Sequence, residues 1–180
     1  MTPLCTPPNA GPGGSPARVE AARAIVEAGV AVMGHVGLTP QTATALGGYR
    51  AQAKDASAAV KLVDGAIALE EAGCFAVVLE AIPSVVAEAT VERLSVPTIG
   101  IGAGPSTAGQ VLVFHDLLGI REGRGGKFVQ RYADLQDEMN AGVLAYASDV
   151  RSRAYPRAEH EYAMSPEESA ALAAALAERG

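Results

Sequence analysis

The fold is predicted from one stretch of the chain, Phe75-Ala76-Val77-Val78-Leu79-Glu80-Ala81-Ile82-Pro83. Five apolar residues in succession end at a single carboxylate, and a proline closes the stretch. So short an apolar run is typical of a strand that is buried on both faces of a parallel sheet. Glu80 then lies at the carboxyl end of this strand, which is where open α/β sheets and α/β barrels hold their chemistry.

Two interpretations of Glu80 follow from this position, and the stretch alone does not decide between them. At a strand end where little water solvates a carboxylate, the side chain can act as a base near neutral pH. Alternatively, the same acid caps the next helix or pairs with a buried arginine.

Composition narrows the class of protein. The 180 residues fit one domain, and its core is aliphatic because 49% of the residues are apolar whereas only 4% are aromatic. A formal charge of −6, with scattered Lys and Arg, argues against nucleic acid as a partner, since phosphates require clustered cations. No apolar run approaches the ~18 residues that a membrane span needs, so a membrane is not expected as a partner.

The cysteines and the N-terminus favour a cytoplasmic protein. Cys5 and Cys74 are too few for a disulfide framework or a metal site, and Cys74 is expected to be a small core residue. The first residues lack the basic and apolar blocks of a secretory signal.

A helix–strand unit is predicted to occur twice around the opening stretch. A helix that starts at Ser15-Pro16 and a helix capped by Asp55 both end in Glu-Ala-Gly, at 27–29 and at 71–73. Strands at 30–33 and 75–80 follow them, the first leading into a loop over 34–41. His35 lies six residues past the first glycine and Glu80 seven past the second. Equivalent units would therefore bring both side chains out at the same end of adjacent parallel strands.

The remaining pattern continues the alternation. A third helix is predicted over 84–94, a strand over 98–102 and a fourth strand over 110–115, so that helix and strand alternate four times with short right-handed crossovers. A further helix is predicted over 134–149.

Three polar or glycine-rich features at the strand ends have more than one interpretation. His35, between two glycines, is suited to hydrogen bonding or proton relay, or it is a satisfied histidine that holds a loop. The glycines of 100–104 allow close approach of backbone, and the absence of nearby Lys or Arg favours a steric role over phosphate binding. His115 and Asp116 orient one another or cap a turn. No cluster has metal-ligand spacing.

Six motifs resemble the ketopantoate hydroxymethyltransferase family, also named 3-methyl-2-oxobutanoate hydroxymethyltransferase. They occur in the family's order between about residues 16 and 162. They are Gly-His-Val-Gly-Leu-Thr-Pro-Gln (34–41), Gly-Gly-Tyr-Arg-Ala-Gln (47–52), Val-Val-Leu-Glu-Ala-Ile-Pro (77–83), Ile-Gly-Ile-Gly-Ala-Gly (99–104), Gly-Gln-Val-Leu-Val-Phe-His-Asp (109–116) and Lys-Phe-Val-Gln-Arg-Tyr-Ala (127–133).

The resemblance implies a (β/α)8 barrel enzyme of pantothenate and coenzyme A biosynthesis that forms large homo-oligomers. Such enzymes transfer a hydroxymethyl group from 5,10-methylenetetrahydrofolate to a small keto acid, 3-methyl-2-oxobutanoate, and give 2-dehydropantoate. The keto acid chelates Mg²⁺, which stabilises the enolate. Glu80 matches the glutamate at the end of the sixth strand that removes the C3 proton. His35 matches a histidine at the end of the fifth strand that lines the site.

The sequence also departs from the family's pattern. The family's metal-binding acids and a substrate-binding lysine lie on strands two to four, whereas the match here begins at the helix after the fourth strand. We therefore predict an α/β fold, a partial TIM (β/α)8 barrel with strands 5–8 and their helices, and no metal ligands in this chain. Ala108 and Ala53 stand where the family has an acid and a glycine.

Three explanations of a half barrel stay open: a truncated product or mis-assigned start, a split enzyme completed by a separate N-terminal half, or a non-catalytic half-barrel that pairs its open edges with another copy. A lyase or mutase on a related barrel is a more distant alternative, which the loop 34–41 disfavours.

The chain is predicted to have three parts. Residues 1–14 form a disordered leader because prolines and glycines dominate them. Residues 15–163 form the half barrel, and 164–180 form a C-terminal helical extension. The extension begins at Ser165-Pro166, with Glu168 placed to complete a capping box.

Overall fold

A computed structural model of the chain describes residues 16–39, 50–121, 123 and 125–179. The chain divides into two compact units, a sheet unit, Met1–Ala133, and a helical unit, Asp134–Gly180. The predicted leader 1–14 lies outside the described residues, and the predicted boundary at 163/164 stays a prediction.

The sheet unit has an α/β fold built on four parallel strands. The strands are β1 (Met33–Gly37), β2 (Ala76–Glu80), β3 (Thr98–Ile101) and β4 (Gly109–Gln110), and the helices are α1 (Pro16–Glu27), α2 (Ala56–Glu71), α3 (Ser84–Val91) and α4 (Phe114–Leu117). The spatial order of the strands is the chain order, β1-β2-β3-β4. A doubly wound sheet reverses its strand order at a switch point, whereas a barrel does not, so this sheet is consistent with part of a TIM-type barrel.

The prediction for α2 and β2 agrees closely with the structure. The Asp55 carboxylate accepts a hydrogen bond from the Ala58 backbone N–H at 2.9 Å and caps α2. Gly73 follows the helix with φ +94°, a conformation that suits glycine. The strand predicted over 75–80 is present as Ala76–Glu80.

The core lies between the sheet and its helices. Side chains from alternate positions of β1 and β2 pack with those of α2, and the fully buried ones include Val36, Leu62, Val77 and Leu79. Cys74 is 2% exposed within this cluster, which confirms it as a core residue.

The prediction for β1 was wrong by three to four residues. The strand is Met33–Gly37 rather than 30–33, so half of the stretch predicted as a loop, residues 34–37, is strand, and residues 40–41 of that loop lie outside the described residues. Gly34 has a packing role within this strand. A Cβ atom at Gly34 would lie 3.2 Å from Leu69 Cδ1, so the bare backbone lets α2 approach the strand closely.

The fourth strand was also predicted wrongly. Only Gly109–Gln110 is strand, no helix occurs in the connection 102–108, and the chain enters α4 at Phe114. The Gln110 side-chain amide donates to the Gly104 carbonyl at 2.9 Å and to Thr107 Oγ1 at 2.8 Å, which ties the strand back onto its own connection. The apolar run that suggested a buried strand is at least half exposed at Val113 and Phe114.

The helical unit contains α5 (Leu135–Ser152), a 3-10 turn (Ala158–His160) and α6 (Pro166–Ala177). Both helices were predicted from the sequence. Ser165 Oγ accepts a hydrogen bond from the Glu168 backbone N–H at 3.2 Å, as the capping pattern indicated. Neither helix has a buried residue. Within the described residues, no helix is both long enough and apolar enough to cross a membrane.

Candidate active site

Glu80 is the last residue of β2, where the sequence placed it. Its side chain is 12% exposed, so the strand end holds a carboxylate largely removed from water. In the sheet register Glu80 lies opposite Gly37 on β1 and opposite Ile101 on β3. One neighbour has no side chain and the other is apolar, so the carboxylate has no polar side chain beside it at its own level of the sheet.

His35 meets Glu80 from the neighbouring strand. His35 pairs with Val78, and because side chains alternate along a strand, the residue two positions later, Glu80, is on the same face. His35 Nε2 lies 3.0 Å from Glu80 Oε2, and the His35 side chain is 8% exposed. The prediction that both side chains emerge at one end of adjacent parallel strands is confirmed. The two positions are not equivalent in the sheet, since His35 is one side-chain level below the strand end.

The contact has the distance of an ion pair but not the alignment of a hydrogen bond. Nε2 is buried and has no hydrogen-bond partner in the described part of the chain. A buried polar atom without a partner is costly, and in native proteins such atoms occur where a ligand, ion or water completes the site. The interpretation of His35 as a satisfied histidine therefore does not hold at this nitrogen.

Backbone contacts fix the end of β2. The Glu80 carbonyl accepts a hydrogen bond from the Leu38 N–H at 2.9 Å, and the Ala81 N–H donates to the Ile101 carbonyl at 2.8 Å. The Ala81 carbonyl accepts from the Gln52 N–H at 2.8 Å. Neighbouring strands and the 50–53 segment thus hold the backbone on both sides of the carboxylate.

Ala81 is a feature that the sequence did not reveal. Its φ is +49°, a left-handed conformation that costs an L-residue about 1–2 kcal/mol. Alanine gives no signal for such a conformation, whereas an asparagine or glycine would have done so. Backbone strain of this kind clusters at functional sites, and here it lies next to the largely buried carboxylate of Glu80.

The glycines after β3 have a steric role, as favoured from the sequence. Gly102 and Gly104 have φ of +65° and +82°. A Cβ atom would lie 2.5 Å from the Phe128 ring at Gly102 and 2.6 Å from Ser84 Cβ at Gly104. The loop therefore turns in a crowded position in which only glycine fits.

Other candidates from the sequence have different partners. Asp116 is buried in α4 and its Oδ1 accepts a hydrogen bond from Arg121 Nη1 at 3.1 Å, so it pairs with arginine rather than with His115. The His115 ring contacts the Phe114 ring edge to face. Among the described residues, no three His, Cys, Asp or Glu side chains form a group that could hold a metal ion.

Comparison with known proteins gives one consistent result. The family model for ketopantoate hydroxymethyltransferase matches residues 12–158. A 3-methyl-2-oxobutanoate hydroxymethyltransferase from Deinococcus radiodurans is 52% identical over 155 residues, which are 86% of this chain and 55% of that protein. The enzyme of the same name from Nitratidesulfovibrio vulgaris is 49% identical over 158 residues, 88% of this chain and 52% of that protein.

A mitochondrial relative from rice, 3-methyl-2-oxobutanoate hydroxymethyltransferase 2, is 51% identical over 152 residues, 82% of this chain and 38% of that protein. The chain thus spans about half the length of the curated relatives it matches. A crystal structure of the Amycolatopsis orientalis BexX/CysO complex aligns over 84% of this chain and 56% of that chain, with a TM-score of 0.39 and 18% identity, and this similarity is too low to bear on the fold.

Proposed function

The chain belongs to the ketopantoate hydroxymethyltransferase family, and from this premise we propose that it acts in hydroxymethyl transfer to 3-methyl-2-oxobutanoate. The donor is 5,10-methylenetetrahydrofolate. The C3 proton of the keto acid leaves, a bond forms between C3 and the one-carbon unit, water supplies the hydroxyl oxygen, and tetrahydrofolate is released with 2-dehydropantoate.

Glu80 is the general base that removes the C3 proton. One observation supports this role above the others: a carboxylate that is 12% exposed lies at the carboxyl end of a central parallel strand, 3.0 Å from a buried imidazole. Apart from the 3.0 Å contact with His35 Nε2, no side-chain contact of this carboxylate is found among the residues that the structure describes, so it can accept a proton from a bound substrate. Positioned bases of this kind contribute about 10²–10⁴-fold to a rate.

His35 has a positioning role beside the base. Its Nε2 lies against the Glu80 carboxylate and has no hydrogen-bond partner among the described residues, so it can hold a substrate oxygen and the base together. Because the ring is buried and anchored on β1 rather than on a loop, it restricts the orientations open to the Glu80 side chain.

The described residues do not fit a Mg²⁺ site. Mg²⁺ prefers several oxygen ligands in octahedral geometry, and His35 with Glu80 supplies one carboxylate and one imidazole. The step assigned to Glu80 is proton removal, which this chain's own residues can perform. We propose that ligands for Mg²⁺ and the contacts with folate come from outside the described residues.

The four strands correspond in this proposal to strands five to eight of a (β/α)8 barrel. Sequential parallel order supports this, as does β1, which is at the edge of the sheet and can pair with a further strand. A separate N-terminal half or another copy of the chain would supply that strand. No observation favours a non-catalytic half-barrel, and cytoplasmic localisation stays a prediction.

Proton exchange at C3 of 3-methyl-2-oxobutanoate in D₂O, followed by NMR, tests the proposal. The chain is assayed with Mg²⁺, first alone and then with the N-terminal part of the Deinococcus radiodurans relative as a separate polypeptide. We expect exchange above the protein-free rate in at least one arm, and a loss of about a hundredfold or more with Glu80→Gln. Glu88→Gln, an exposed acid of α3, is the matched control.

Exchange at the wild-type rate in Glu80→Gln would show that Glu80 is not the base. An absence of exchange in both arms, from protein whose folding is verified by circular dichroism, would contradict the proposed activity.

A further inference from the structure

The helical unit contains a histidine whose side-chain hydrogen bond can form only in one protonation state of the ring. His160 is the last residue of the 3-10 turn after α5, and its side chain is 39% exposed. Its Nδ1 accepts a hydrogen bond from the Arg157 backbone N–H at 3.0 Å, and its own backbone N–H donates to the Arg157 carbonyl at 2.8 Å. The two residues thus close the turn through a pair of reciprocal hydrogen bonds.

Ring contacts join this turn to α5. The centroid of the His160 ring lies 5.0 Å from that of Tyr155, and the Tyr155 ring lies 5.6 Å from Tyr146 of α5 in an edge-to-face contact. Because neither α5 nor α6 has a buried residue, the connection 153–165 between them depends on contacts of this kind rather than on a core. We call the four residues Tyr146, Tyr155, Arg157 and His160 the clasp.

The groups around the His160 ring define its state when the clasp is closed. Since Nδ1 is an acceptor there, the ring is neutral and its proton is on Nε2, which lies 3.8 Å from Glu159 Oε1. The other charged or titratable groups against the ring, in the part of the chain that the structure describes, are the Arg157 guanidinium and the Tyr155 phenol, behind which lies Tyr146 of α5. Of these residue types, histidine is the one that ordinarily changes its charge between about pH 5 and 8.

We propose that the clasp is a pH-sensitive device, which opens when His160 is protonated. The second proton must bind at Nδ1, where it converts the acceptor into a donor that faces the Arg157 N–H. Two donors 3.0 Å apart cannot form a hydrogen bond, so the ring leaves this position and its positive charge is attracted to Glu159. The contact between His160 and Tyr155 is then lost.

The direction of the pH dependence follows from the state that the clasp binds. Because the closed clasp accepts only the neutral ring, its stabilisation is complete at a pH above the titration of His160 and is lost as the pH falls through that range. The expected result is a connection between α5 and α6 that is ordered at neutral pH and released in mild acid. The inference is independent of the catalytic role of Glu80.

Two-dimensional NMR of the full chain between about pH 5 and 8 tests the proposal. The ring nitrogen shifts of His160 should show a neutral ring with its proton on Nε2 at the upper end of this range, and an imidazolium at the lower end. The protection of the Arg157 amide against hydrogen exchange, corrected for the intrinsic pH dependence of exchange, should fall by about fivefold over the same range, as expected for the loss of one partly exposed hydrogen bond. Circular dichroism verifies that the helices persist at each pH.

Two variants of His160 separate the hydrogen bond from the titration. In His160→Asn the side-chain Oδ1 can take the place of Nδ1 as the acceptor but does not titrate, so protection of the Arg157 amide should persist and become independent of pH. His160→Ala should instead lower this protection by about fivefold even at neutral pH. The control is His115→Asn, at an exposed histidine of the sheet unit, which should leave the pH dependence unchanged.

Three results would overturn the proposal. The first is protection of the Arg157 amide that is the same at both ends of the pH range in the wild type. The second is a pH dependence that persists in His160→Asn, because another group would then be responsible for it. The third is a wild-type His160 ring whose proton is on Nδ1 at neutral pH, since that nitrogen could not accept the Arg157 N–H.

Discussion

The sheet unit and the helical unit contain equally regular helices, but they are held in different ways. In the sheet unit Leu62 and Leu79 are fully buried, and α2 packs its apolar side chains on two strands. In the helical unit α5 and α6 have no buried residue, and Leu144 is 69% exposed. Tertiary burial therefore defines the first unit, whereas intrinsic helix propensity and the Ser165 cap of α6 define the second.

The largest expected difference between the units comes from the same substitution in each. Leu79→Ala should lower the free energy of unfolding by about 2–5 kcal/mol, because it removes a fully buried side chain and leaves a cavity. Leu144→Ala should change it by less than about 0.5 kcal/mol. Urea unfolding followed by circular dichroism measures both. A comparable loss in the two variants would mean that α5 is buried against something in solution.

Glycine substitutions should have opposite signs in the two units. At Gly37 the backbone has φ +94°, and a Cβ atom would lie 2.1 Å from the Glu80 carbonyl oxygen. Gly37→Ala should therefore destabilise the chain by about 1–3 kcal/mol and disturb the strand end that carries the base. Gly142 is within α5 with nothing near its missing side chain, so Gly142→Ala should stabilise that helix by about 0.5–1 kcal/mol. In thermal melts Gly37→Ala should lower the midpoint of the main transition, whereas Gly142→Ala should move the loss of the helical unit's own signal to higher temperature.

Removal of helix caps should separate global from local stability. Asp55→Ala should cost about 1 kcal/mol of the free energy of global unfolding, because α2 packs on the sheet. Ser165→Ala costs a similar amount in α6, but its effect should be a smaller helical signal without a shift in the main transition. If Ser165→Ala shifted the main transition by as much as Asp55→Ala, the two units would unfold together.

A small change in stability is also expected at Ala81. Ala81→Gly relieves about 1 kcal/mol of left-handed strain but increases the freedom of the unfolded chain by a similar amount, so the net change should be within about 0.5 kcal/mol. The substitution should instead slow the C3 proton exchange that we assign to Glu80, because the strand end becomes less rigid. Ala87→Gly, in the buried interior of α3, is the control and should destabilise by about 1 kcal/mol.

The sequence predicts those helices and strands whose ends are marked by local residue patterns. Asp55 and Gly73 mark the ends of α2, and the apolar run before Glu80 marks β2, so both elements were placed to within one or two residues. The prediction for β1 was wrong, because residues 34–41 were assigned to a loop that contains Gly34 and Gly37. Their role depends on Leu69 and on the Glu80 backbone, which are distant in sequence.

The site was predictable in its residues but not in its geometry. Spacing along the chain brought His35 and Glu80 to the same end of the sheet. The unpartnered Nε2 atom and the left-handed Ala81 depend on the register between β1, β2 and β3, which no local pattern specifies. The side-chain hydrogen bonds of Gln110 at β4 likewise join it to Gly104 and Thr107, which its residue type does not predict.

The sequential order of the strands has a consequence for how the chain folds. Pairing Met33 with Ala76 closes a loop of about 43 residues, whereas pairing Val77 with Thr98 closes one of about 21. Since each doubling of loop length costs about 0.6 kcal/mol of closure entropy, the second pairing is the easier one to form first. We therefore expect β2 and β3 to pair before β1 joins them. The strand that ends in Glu80 would then already be part of the sheet when His35 arrives beside its carboxylate.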